Sequence, residues 1–405
     1  MKDAGLNNTT LRRQNRGLVL KLIATEECSS RIEVSKKTGL SKMAATHIIS
    51  EFLEEGIIEE RESLPVKGKG RNPIRLCLSE SAPKMIGVHI FRDECSVVLC
   101  DLKLHVKMRR KFAVTKESCG RIWEQLYECI DAVLQSAGEE RLYGIGIGSL
   151  GPVDVGRGRI LNPPNFYGKR DIEIVSMLKE RYKLPVFFDS QYNCAALAEK
   201  YYGNGRDAED FLFVGISNGI GSGVVTGGEI NRDFCGFTSE LGHVSIDWNG
   251  KLCTCGRRGC LEMYAGSRVI TTHLTEITGK SYDFRGFCEM AKEEGDSLMH
   301  QVFADMVDKL ACGITNAVNL YNPQKVLIGH EGYWLPGRYL DKLQEQVNRR
   351  KLLGDYHEVK VERPAFGENS HIVGCACSLL EKIFDGSNEY VSGPCRYEQI
   401  ILAAR

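Results

Sequence analysis

One short stretch near the middle of this chain, from Glu240 to Glu262, combines a histidine and three cysteines in a pattern that restricts how the segment can fold. The pattern is H-x9-C-x-C-x4-C, and its members are His243, Cys253, Cys255 and Cys260. One neutral imidazole and three thiolates make a closed tetrahedral ligand set for structural zinc. The stretch therefore predicts a structural zinc loop in which no metal coordination position is left open for catalysis.

An alternative is that these cysteines are buried or disulfide-bonded beside an unrelated histidine. The chain has sixteen cysteines, but most of the others stand singly in apolar runs such as RLCL and VVLC. A free cysteine in such a run behaves as a small buried hydrophobe. The amino-terminal end lacks the apolar core of a signal peptide, and no run of about 18 apolar residues could span a bilayer. We therefore expect a soluble cytoplasmic protein with no membrane partner, in which disulfides are rare.

The charge balance bears on the possible partners. Lysine and arginine together number 53, as do aspartate and glutamate, so the formal net charge is zero. A protein of this balance has no overall basic excess that would attract nucleic acid. Any DNA-binding surface must therefore be local, and the 405 residues are enough for two or three domains.

The first 80 residues predict a winged helix-turn-helix domain. Apolar residues at helical spacing over 11–24 include Leu11, Leu18 and Leu22, and a second helix follows Ser30 and ends at Gly39. A third helix begins near residue 42 and stops at Gly56. Two short strands, IIEER and IRLCLS, flank a glycine-rich and basic turn. Three helices and a two-stranded hairpin make this type of domain.

Several residues of this predicted domain suit DNA contacts. The start of the third helix can enter a major groove, and basic residues among glycines at the wing tip can approach phosphates closely. The candidate contacts are Ser41, Lys42, Met43, Thr46 and His47 on the helix, and Lys67, Lys69 and Arg71 on the wing. The same elements would also suit a protein-docking module, but the local basic charge favours DNA.

The pattern of the remaining residues predicts an α/β fold. The segment SESAPK (79–84) is polar, contains a proline and predicts a linker. Two hairpins follow, MIGVHIFRDECSVVLCDL and FLFVGISNGIGSGVVTGGEI, with helical patterns at 120–137, 172–183 and 191–202. The recurrence of a strand, a turn and a strand predicts two related α/β lobes.

The motifs GSLGPVD, NPPNF, NCAALAE, NPQKVLIG and the zinc loop itself together resemble the signature of the ROK family of sugar kinases and sugar-responsive repressors. The resemblance implies a two-lobed actin-like (ASKHA) domain after the DNA-binding domain of 1–80. It places lobe 1 at 81–195 and lobe 2 with the zinc loop at 196–405, and the C-terminal helix packs back on lobe 1. It further implies that the hairpin turns grip ATP phosphates and that sugar lies between the lobes.

The chain departs from the kinase pattern of that family in three places. The D-x-G-G motif of the first hairpin is replaced by His89, Ile90, Phe91 and Arg92, and a run of three glycines by Gly329-His330-Glu331-Gly332. The catalytic aspartate, which would accept the proton of the sugar hydroxyl, is Gln191. The glycines of the second hairpin remain, but they are also what tight sheet packing requires. Asp189 is a possible substitute base. These departures predict that the chain is not an active kinase.

The family resemblance implies that sugar binding is retained. The candidate ligand-binding residues are Asn165, Ser190, Gln191, Glu240, His243 and Glu262. Glu240 and Glu262 could instead serve the zinc loop as outer groups that orient its ligands.

From these patterns and the family resemblance we expect a DNA-binding regulator, a repressor of carbohydrate genes of the xylose-repressor or NagC/Mlc type, controlled by a sugar or related metabolite. A homodimer or dimer of dimers would bind a palindromic operator. The alternative is an ATP-dependent ROK sugar kinase with an appended DNA-binding domain. A regulator whose signal is a partner protein remains a third reading.

Overall fold

The computed structural model describes residues 8–62, 74–232, 239–293, 297–387 and 395–396. These residues divide between two compact units. The first comprises Met1–Ile147, Ile174–Phe188 and Cys375–Arg405, and the second comprises Gly148–Glu173 and Asp189–Gly374. Across the described ranges, no helix is both long enough and apolar enough to cross a membrane.

The regular elements follow one another in an α/β pattern. In chain order the helices are α1 (Asn8–Ala24), α2 (Arg31–Thr38), α3 (Lys42–Glu54), α4 (Ile122–Ala137), α5 (Ile174–Tyr182), α6 (Gln191–Tyr202), α7 (Glu262–Ala265), α8 (Ser267–Thr278), α9 (Phe284–Met290), α10 (Ser297–Tyr321), α11 (Gly337–Arg350) and α12 (Ser370–Phe384). The strands are β1 (Ile58–Glu62), β2 (Ile74–Leu78), β3 (Lys84–Ile90), β4 (Glu94–Cys100), β5 (Val106–Ala113), β6 (Arg141–Ser149), β7 (Val153–Asp154), β8 (Arg159–Ile160), β9 (Val186–Ser190), β10 (Phe211–Ile216), β11 (Ile220–Thr226), β12 (Glu229–Ile230), β13 (Lys325–His330), β14 (Lys360–Glu362) and β15 (Cys395–Arg396).

The amino-terminal elements end where their capping residues predict. The side chain of Ser30 accepts a hydrogen bond from the backbone N–H of Glu33, and Gly39 ends α2 with φ +72°. Ser41 caps α3 in the same way through Ala44. Strands β1 and β2 pair antiparallel. The prediction of three helices followed by a hairpin is confirmed at the level of these elements.

The buried face of α1 includes the predicted Leu22 but differs from the prediction at Leu11 and Leu18. Leu11 and Leu18 are 40% and 36% exposed, while the buried apolar residues are Val19, Leu20, Leu22, Ile23 and Ala24. The helix is turned in this way because Gly17 lies against the end of α12. A Cβ atom at Gly17 would come within 2.5 Å of the carbonyl oxygen of Ile383. Close helix contact through a glycine therefore sets which residues of α1 face inward.

The first unit is built on a mixed sheet of strand order β15-β6-β3-β4-β5, with β9 also paired to β6. Strands β3, β4 and β6 are buried almost throughout, as their continuous apolar runs predict. Helix α4 packs on β4 and β5. It does so because its buried residues recur at helical spacing: Ile122, Leu126, Ile130, Val133, Leu134 and Ala137.

The second unit is built on a sheet of strand order β12-β11-β10-β13-β14. The β10–β11 hairpin is antiparallel, whereas β13 joins β10 in parallel. Helix α6 packs on β10 and β11, and α10 packs against α8 and α11.

Candidate functional site

The zinc-loop residues form one cluster. The ligand atoms of His243, Cys253, Cys255 and Cys260 all lie within 4.8 Å of one another. Sγ of Cys255 lies 3.6 Å from Sγ of Cys260, and Sγ of Cys253 lies 3.7 Å from Nδ1 of His243. A disulfide needs a sulfur separation of about 2.05 Å. With Zn–S bonds of about 2.3 Å, the sulfurs of a tetrahedral site stand about 3.8 Å apart. The cluster therefore fits a tetrahedral metal ion and not a disulfide.

The backbone of the loop brings these side chains together. Ser245 and Cys260 form an isolated antiparallel β-bridge, and Leu252 and Arg258 form another. Gly259 has φ +74°, and a Cβ atom there would lie 1.7 Å from the carbonyl oxygen of Asp247. Only glycine fits such a close return of the chain. The turn is thus part of what makes the cluster possible.

The surroundings of Cys255 favour its thiolate form. Burial acts to raise its pKa, but hydrogen bonds from the backbone and side chain of Arg257 outweigh this and lower the pKa to about 6. The thiolate is the form that binds a metal ion.

Two carboxylates stand beside the cluster. Oε1 of Glu262 lies 3.2 Å from Sγ of Cys253 and 3.6 Å from Nδ1 of His243. Glu240 is exposed as a residue, but protein atoms surround its carboxyl group. The resulting desolvation raises the pKa of Glu240. The charge of Glu262 also raises this pKa, whereas that of His243 lowers it. Glu240, His243 and Glu262 therefore lie close together.

Both carboxylate oxygens of Asp189 accept hydrogen bonds. It is 2% exposed, and its Oδ1 accepts hydrogen bonds from the backbone N–H of Ser190 at 2.7 Å and from the side-chain amide of Asn193 at 2.8 Å. Its Oδ2 accepts two more from Arg232, with Nε at 2.9 Å and Nη2 at 2.6 Å. Charge-assisted bonds of this kind stabilise the carboxylate form. A carboxylate stabilised in this way is a poor proton acceptor.

Sequence reasoning missed the role of Arg232. It lies 43 positions after Asp189 in the chain, and no local pattern links the two residues. The one available signal was chemical, because a buried carboxylate requires a cationic or hydrogen-bonding partner.

Gln191, which the family resemblance places at the position of the kinase base, is itself a hydrogen-bond partner. Its Oε1 lies 3.2 Å from Nε2 of His330. The His330 ring is buried. Its centroid lies 4.0 Å from the centroid of the His371 ring and 5.2 Å from that of the Tyr192 ring. Side chains therefore fill the space after β13, where the resemblance leads one to expect glycines.

The glycines of the second hairpin accommodate Tyr192. A Cβ atom at Gly221 would lie 2.0 Å from the ring of Tyr192, and one at Gly215 would lie 2.5 Å from it. At Gly223 the obstacle is the backbone oxygen of Tyr192, at 2.4 Å. The close approach of Tyr192 thus accounts for Gly215, Gly221 and Gly223. A Cβ atom at Gly219, in the turn itself, would instead lie 2.9 Å from Oε2 of Glu262.

The turn of the first hairpin is occupied by large side chains. The His89 ring stacks on Phe91 with centroids 5.9 Å apart, and the Arg92 guanidinium lies 5.2 Å from the Phe91 ring centroid. Bulky residues therefore stand where a phosphate-binding turn needs small ones.

The other two predicted ligand residues have different surroundings. Ser190 is buried and caps α6 by accepting a hydrogen bond from Asn193 N–H at 3.1 Å. Asn165 is exposed in a left-handed conformation with φ +57°. Among the described residues, Asn165 makes no hydrogen bond to the other predicted ligand residues.

The predicted DNA contacts of α3 form a continuous exposed face. Ser41, Lys42, Met43, Thr46 and His47 are all exposed, and Met43 is 81% exposed. Nδ1 of His47 lies 2.9 Å from Oε1 of Glu51, one turn further along the helix. The wing residues Lys67, Lys69 and Arg71 lie outside the described residues.

Comparison with known proteins places this site in a family. The family model that describes the ROK family matches residues 85–382. A putative xylose repressor of Caldicellulosiruptor sp. (strain Rt8B.4) is 29% identical over 390 residues, which cover 92% of this chain and 97% of the relative. The DNA-binding transcriptional dual regulator NagC of Escherichia coli (strain K12) is 28% identical over 382 residues, covering 91% of this chain and 93% of the relative.

Among solved structures, a ROK family transcriptional regulator that is a homologue of the E. coli MLC protein matches with a TM-score of 0.78. It is 24% identical, and the match covers 93% of this chain and 98% of that one. This likeness supports the actin-like α/β fold. The chain belongs to the ROK family.

Proposed function

We propose that this protein is a sequence-specific DNA-binding repressor of carbohydrate-metabolism genes, controlled by a sugar or a related metabolite. The observation that carries the proposal is the exposed amino-terminal face of α3, on a helix whose opposite face is buried. The match to the putative xylose repressor leaves out only about 8% of the chain, so it includes more than half of residues 1–84, which precede the family match. A regulator of this family needs a DNA-binding segment in addition to its ROK domain, and the segment before residue 85 would provide it.

In this proposal α2 and α3 form a helix-turn-helix and β1–β2 forms the wing. Met43 and His47 would meet base edges in the major groove, and Lys42 would meet phosphate. A homodimer, or a dimer of dimers, would place two copies of α3 on a palindromic operator. As a DNA-binding regulator, the protein would act in the cytoplasm.

The metal ion that suits the cluster is zinc. Three thiolates and one imidazole are soft and borderline ligands, and four of them complete a tetrahedral structural site. His243, Cys253, Cys255 and Cys260 would hold the ion, and Glu262 would orient His243 from outside. The ion would tie the loop together and so position Glu240 and Glu262.

The effector would bind at the residues that carry hydroxyl-binding groups. Glu240, Glu262 and Gln191 offer carboxylate and amide oxygens, and Asn165 and Ser190 complete the proposed set. Several oxygens of this type suit a polyol, which both donates and accepts hydrogen bonds. Similarity to a putative xylose repressor and to an N-acetylglucosamine repressor of Escherichia coli O6:H1, which is 28% identical over 382 residues, makes xylose and N-acetylglucosamine the first sugars to test.

The competing proposal is a ROK sugar kinase with an appended DNA-binding domain. Two observations weigh against it. Gln191 has no ionisable group and lies beside His330. Asp189 is stabilised as a carboxylate by Arg232. Phosphoryl transfer to a sugar hydroxyl needs a group that accepts the proton. Neither residue meets that requirement.

A thermal-shift screen of the full chain tests the proposal. Xylose, glucose, N-acetylglucosamine and their phosphates are added singly, and a ligand that binds only the folded state raises Tm according to RT ln(1 + [L]/Kd). A sugar that raises Tm should also weaken binding of the chain to promoter DNA of neighbouring carbohydrate genes in a mobility-shift assay. The same mixtures with ATP and magnesium should yield no sugar phosphate.

Two results would count against the proposal. Formation of sugar phosphate would favour the kinase. If none of the sugars raises Tm although the chain binds DNA, the signal would be a protein partner or a metabolite of another class.

A further inference from the structure

Exposure separates the three cysteines of the metal cluster. Cys253 and Cys260 are 3% and 0% exposed, whereas Cys255 lies on the surface within the exposed residues 254–258. Of the fourteen cysteines whose side chains the structure describes, Cys255 is the one that is exposed. A thiol that coordinates a metal ion is present as the thiolate, which is the nucleophilic form of cysteine. Cys255 is therefore the thiolate that a small oxidant in solution meets first.

A second thiol lies within reach of Cys255. The Sγ atoms of Cys255 and Cys260 are 3.6 Å apart, while Sγ of Cys253 lies 3.2 Å from Oε1 of Glu262. A disulfide bond of about 2.05 Å requires the sulfurs of Cys255 and Cys260 to approach by about 1.5 Å. The turn between these two residues can absorb this change, because a Cβ atom at Gly256 would point into open space. The geometry therefore selects Cys260 as the partner of Cys255.

We propose that Cys255 is an oxidation site, at which hydrogen peroxide converts the Cys255–Cys260 pair to a disulfide and so dismantles the metal cluster. The inference rests on the proposed zinc site, and it adds a redox signal to the proposed control by a metabolite. It does not depend on the binding of DNA or sugar.

The reaction has two steps. In the first, the Cys255 thiolate attacks one oxygen of the peroxide, the O–O bond breaks, and hydroxide leaves behind a sulfenic acid. In the second, the Cys260 thiolate attacks the sulfenic sulfur, the S–S bond forms, the S–O bond breaks, and a second hydroxide leaves. The two thiolates together lose two electrons, which the peroxide gains. Two protons from the solvent convert the two hydroxides to water.

The disulfide removes two of the four ligands of the cluster. Only His243 and Cys253 remain, and two ligands do not make a tetrahedral site for zinc. The loop loses the folding free energy that the metal ion contributes. His243 also lies beside Glu262, at 3.6 Å, so release of His243 from the cysteines loosens part of the proposed effector group. Oxidation of an exposed thiol is thereby linked to the residues proposed to bind the effector.

The test uses the full chain as purified, without DNA or sugar. The zinc content is first measured on untreated protein, and zinc release after addition of hydrogen peroxide is followed with a chromogenic chelator. Free thiols are then alkylated, and peptide mass mapping locates the oxidised cysteines. Four half-buried cysteines outside the cluster serve as internal controls in the same sample: Cys77, Cys119, Cys129 and Cys312.

Cys255 should be oxidised about tenfold faster than the control cysteines, since only a small fraction of an ordinary thiol is thiolate at pH 7. The first disulfide should join Cys255 to Cys260, about one zinc ion should be released for each disulfide formed, and the Tm should fall. Dithiothreitol and zinc together should restore the Tm. In the Cys260→Ser variant, dimedone should label a sulfenic acid at Cys255 that the parent chain does not accumulate.

The proposal is overturned if the first disulfide includes Cys253, or if Cys255 is oxidised no faster than the control cysteines. Zinc that stays bound after the disulfide has formed would overturn it as well. Should Cys260→Ser fail to fold, the disulfide map of the parent chain still decides the outcome. Absence of zinc from the untreated chain would refute the zinc assignment and this inference together, but it would leave the repressor proposal standing. Failure of the sugar screen leaves this inference standing.

Discussion

The guanidinium of Arg232 binds the carboxylate of Asp189 through two nitrogens, with Nε 2.9 Å and Nη2 2.6 Å from the same oxygen, Oδ2. Asp189 is nearly fully buried, and the side chain of Arg232 is 22% exposed. The pair lies next to Ser190 and Gln191, at the start of α6. It gives Asp189 a structural role two residues before Gln191.

We expect Asp189→Asn to destabilise the protein by about 3 kcal/mol, because it leaves the guanidinium of Arg232 largely buried without its charge partner. Chemical denaturation of the full chain measures the loss. The matched control is Asp131→Asn, which breaks the exposed pair of Asp131 with Arg181 and should cost less than about 1 kcal/mol. Equal losses in the two variants would contradict the structural role of Asp189.

We expect purified protein to contain about one zinc ion per chain. Cys255→Ser or Cys260→Ser should lower the zinc content and the Tm together, because binding of the metal ion contributes to the folding free energy of the loop. Elemental analysis and calorimetry measure both quantities. Cys129→Ser, a change on α4 in the other unit, should leave the zinc content unaltered. Metal-free protein of normal Tm would refute the zinc assignment.

On DNA, substitutions in α3 should separate into two kinds. Met43→Ala and His47→Ala should change which operator bases are preferred, whereas Lys42→Ala should weaken binding to all sequences and reduce the salt dependence, since a phosphate contact is lost. Fluorescence anisotropy over a range of salt concentrations and a panel of operator variants measures both effects. Lys309→Ala, an exposed change on α10, should bind as the parent does.

Lys69→Ala and Arg71→Ala should behave as Lys42→Ala does, because the wing is proposed to contact phosphates. A change in base preference without a change in salt slope at these two positions would contradict that assignment.

Glu51 joins α1 to α3 through ion pairs with Arg12 and Arg16. Burial opposes the shift, but these two arginines outweigh it and lower the pKa of Glu51 below its ordinary value of 4.5. A carboxyl group whose pKa is lower in the folded state stabilises the protein fully above its unfolded pKa, and this contribution is lost as the pH falls through the folded value.

We therefore expect Glu51→Gln to reduce the free energy of unfolding by about 1 kcal/mol at pH 7. The difference from the parent should shrink as the pH drops below about 4.5. Urea denaturation at several pH values measures it. Glu128→Gln on α4, where the glutamate is 68% exposed, should show almost no difference at any pH. A difference for Glu51→Gln that persists unchanged at pH 3 would rule out the ionic origin.

Local features of the chain could be predicted well because their causes lie within a few residues. Ser30 and Gly39 delimit α2 through hydrogen bonds and a left-handed backbone that involve only their neighbours. The four residues of the metal cluster lie within eighteen positions, so their spacing alone predicted that they would meet. The β-hairpins were likewise evident from alternating apolar runs.

Contacts between distant segments could not be predicted in this way. Nothing in the sequence around Asp189 indicates Arg232, and nothing around Gln191 indicates His330, 139 positions away. The glycines of the β10–β11 hairpin were consistent with either a phosphate or tight packing, and only the position of Tyr192 in the fold shows that Gly215, Gly221 and Gly223 are tightly packed.

The sequence by itself therefore determined the amino-terminal helices, the β-hairpins and the meeting of the four residues of the His/Cys cluster, because each depends on residue type and short spacing. The tertiary structure alone decided that Arg232 neutralises Asp189, that Gly17 turns α1 toward α12, and that Arg141 donates hydrogen bonds to the carbonyl oxygens of Glu55 and Gly56, just after α3. In each case the decisive group comes from a segment far along the chain. Burial requires a partner for a carboxylate or a helix carbonyl, but only the folded chain selects which distant side chain supplies it.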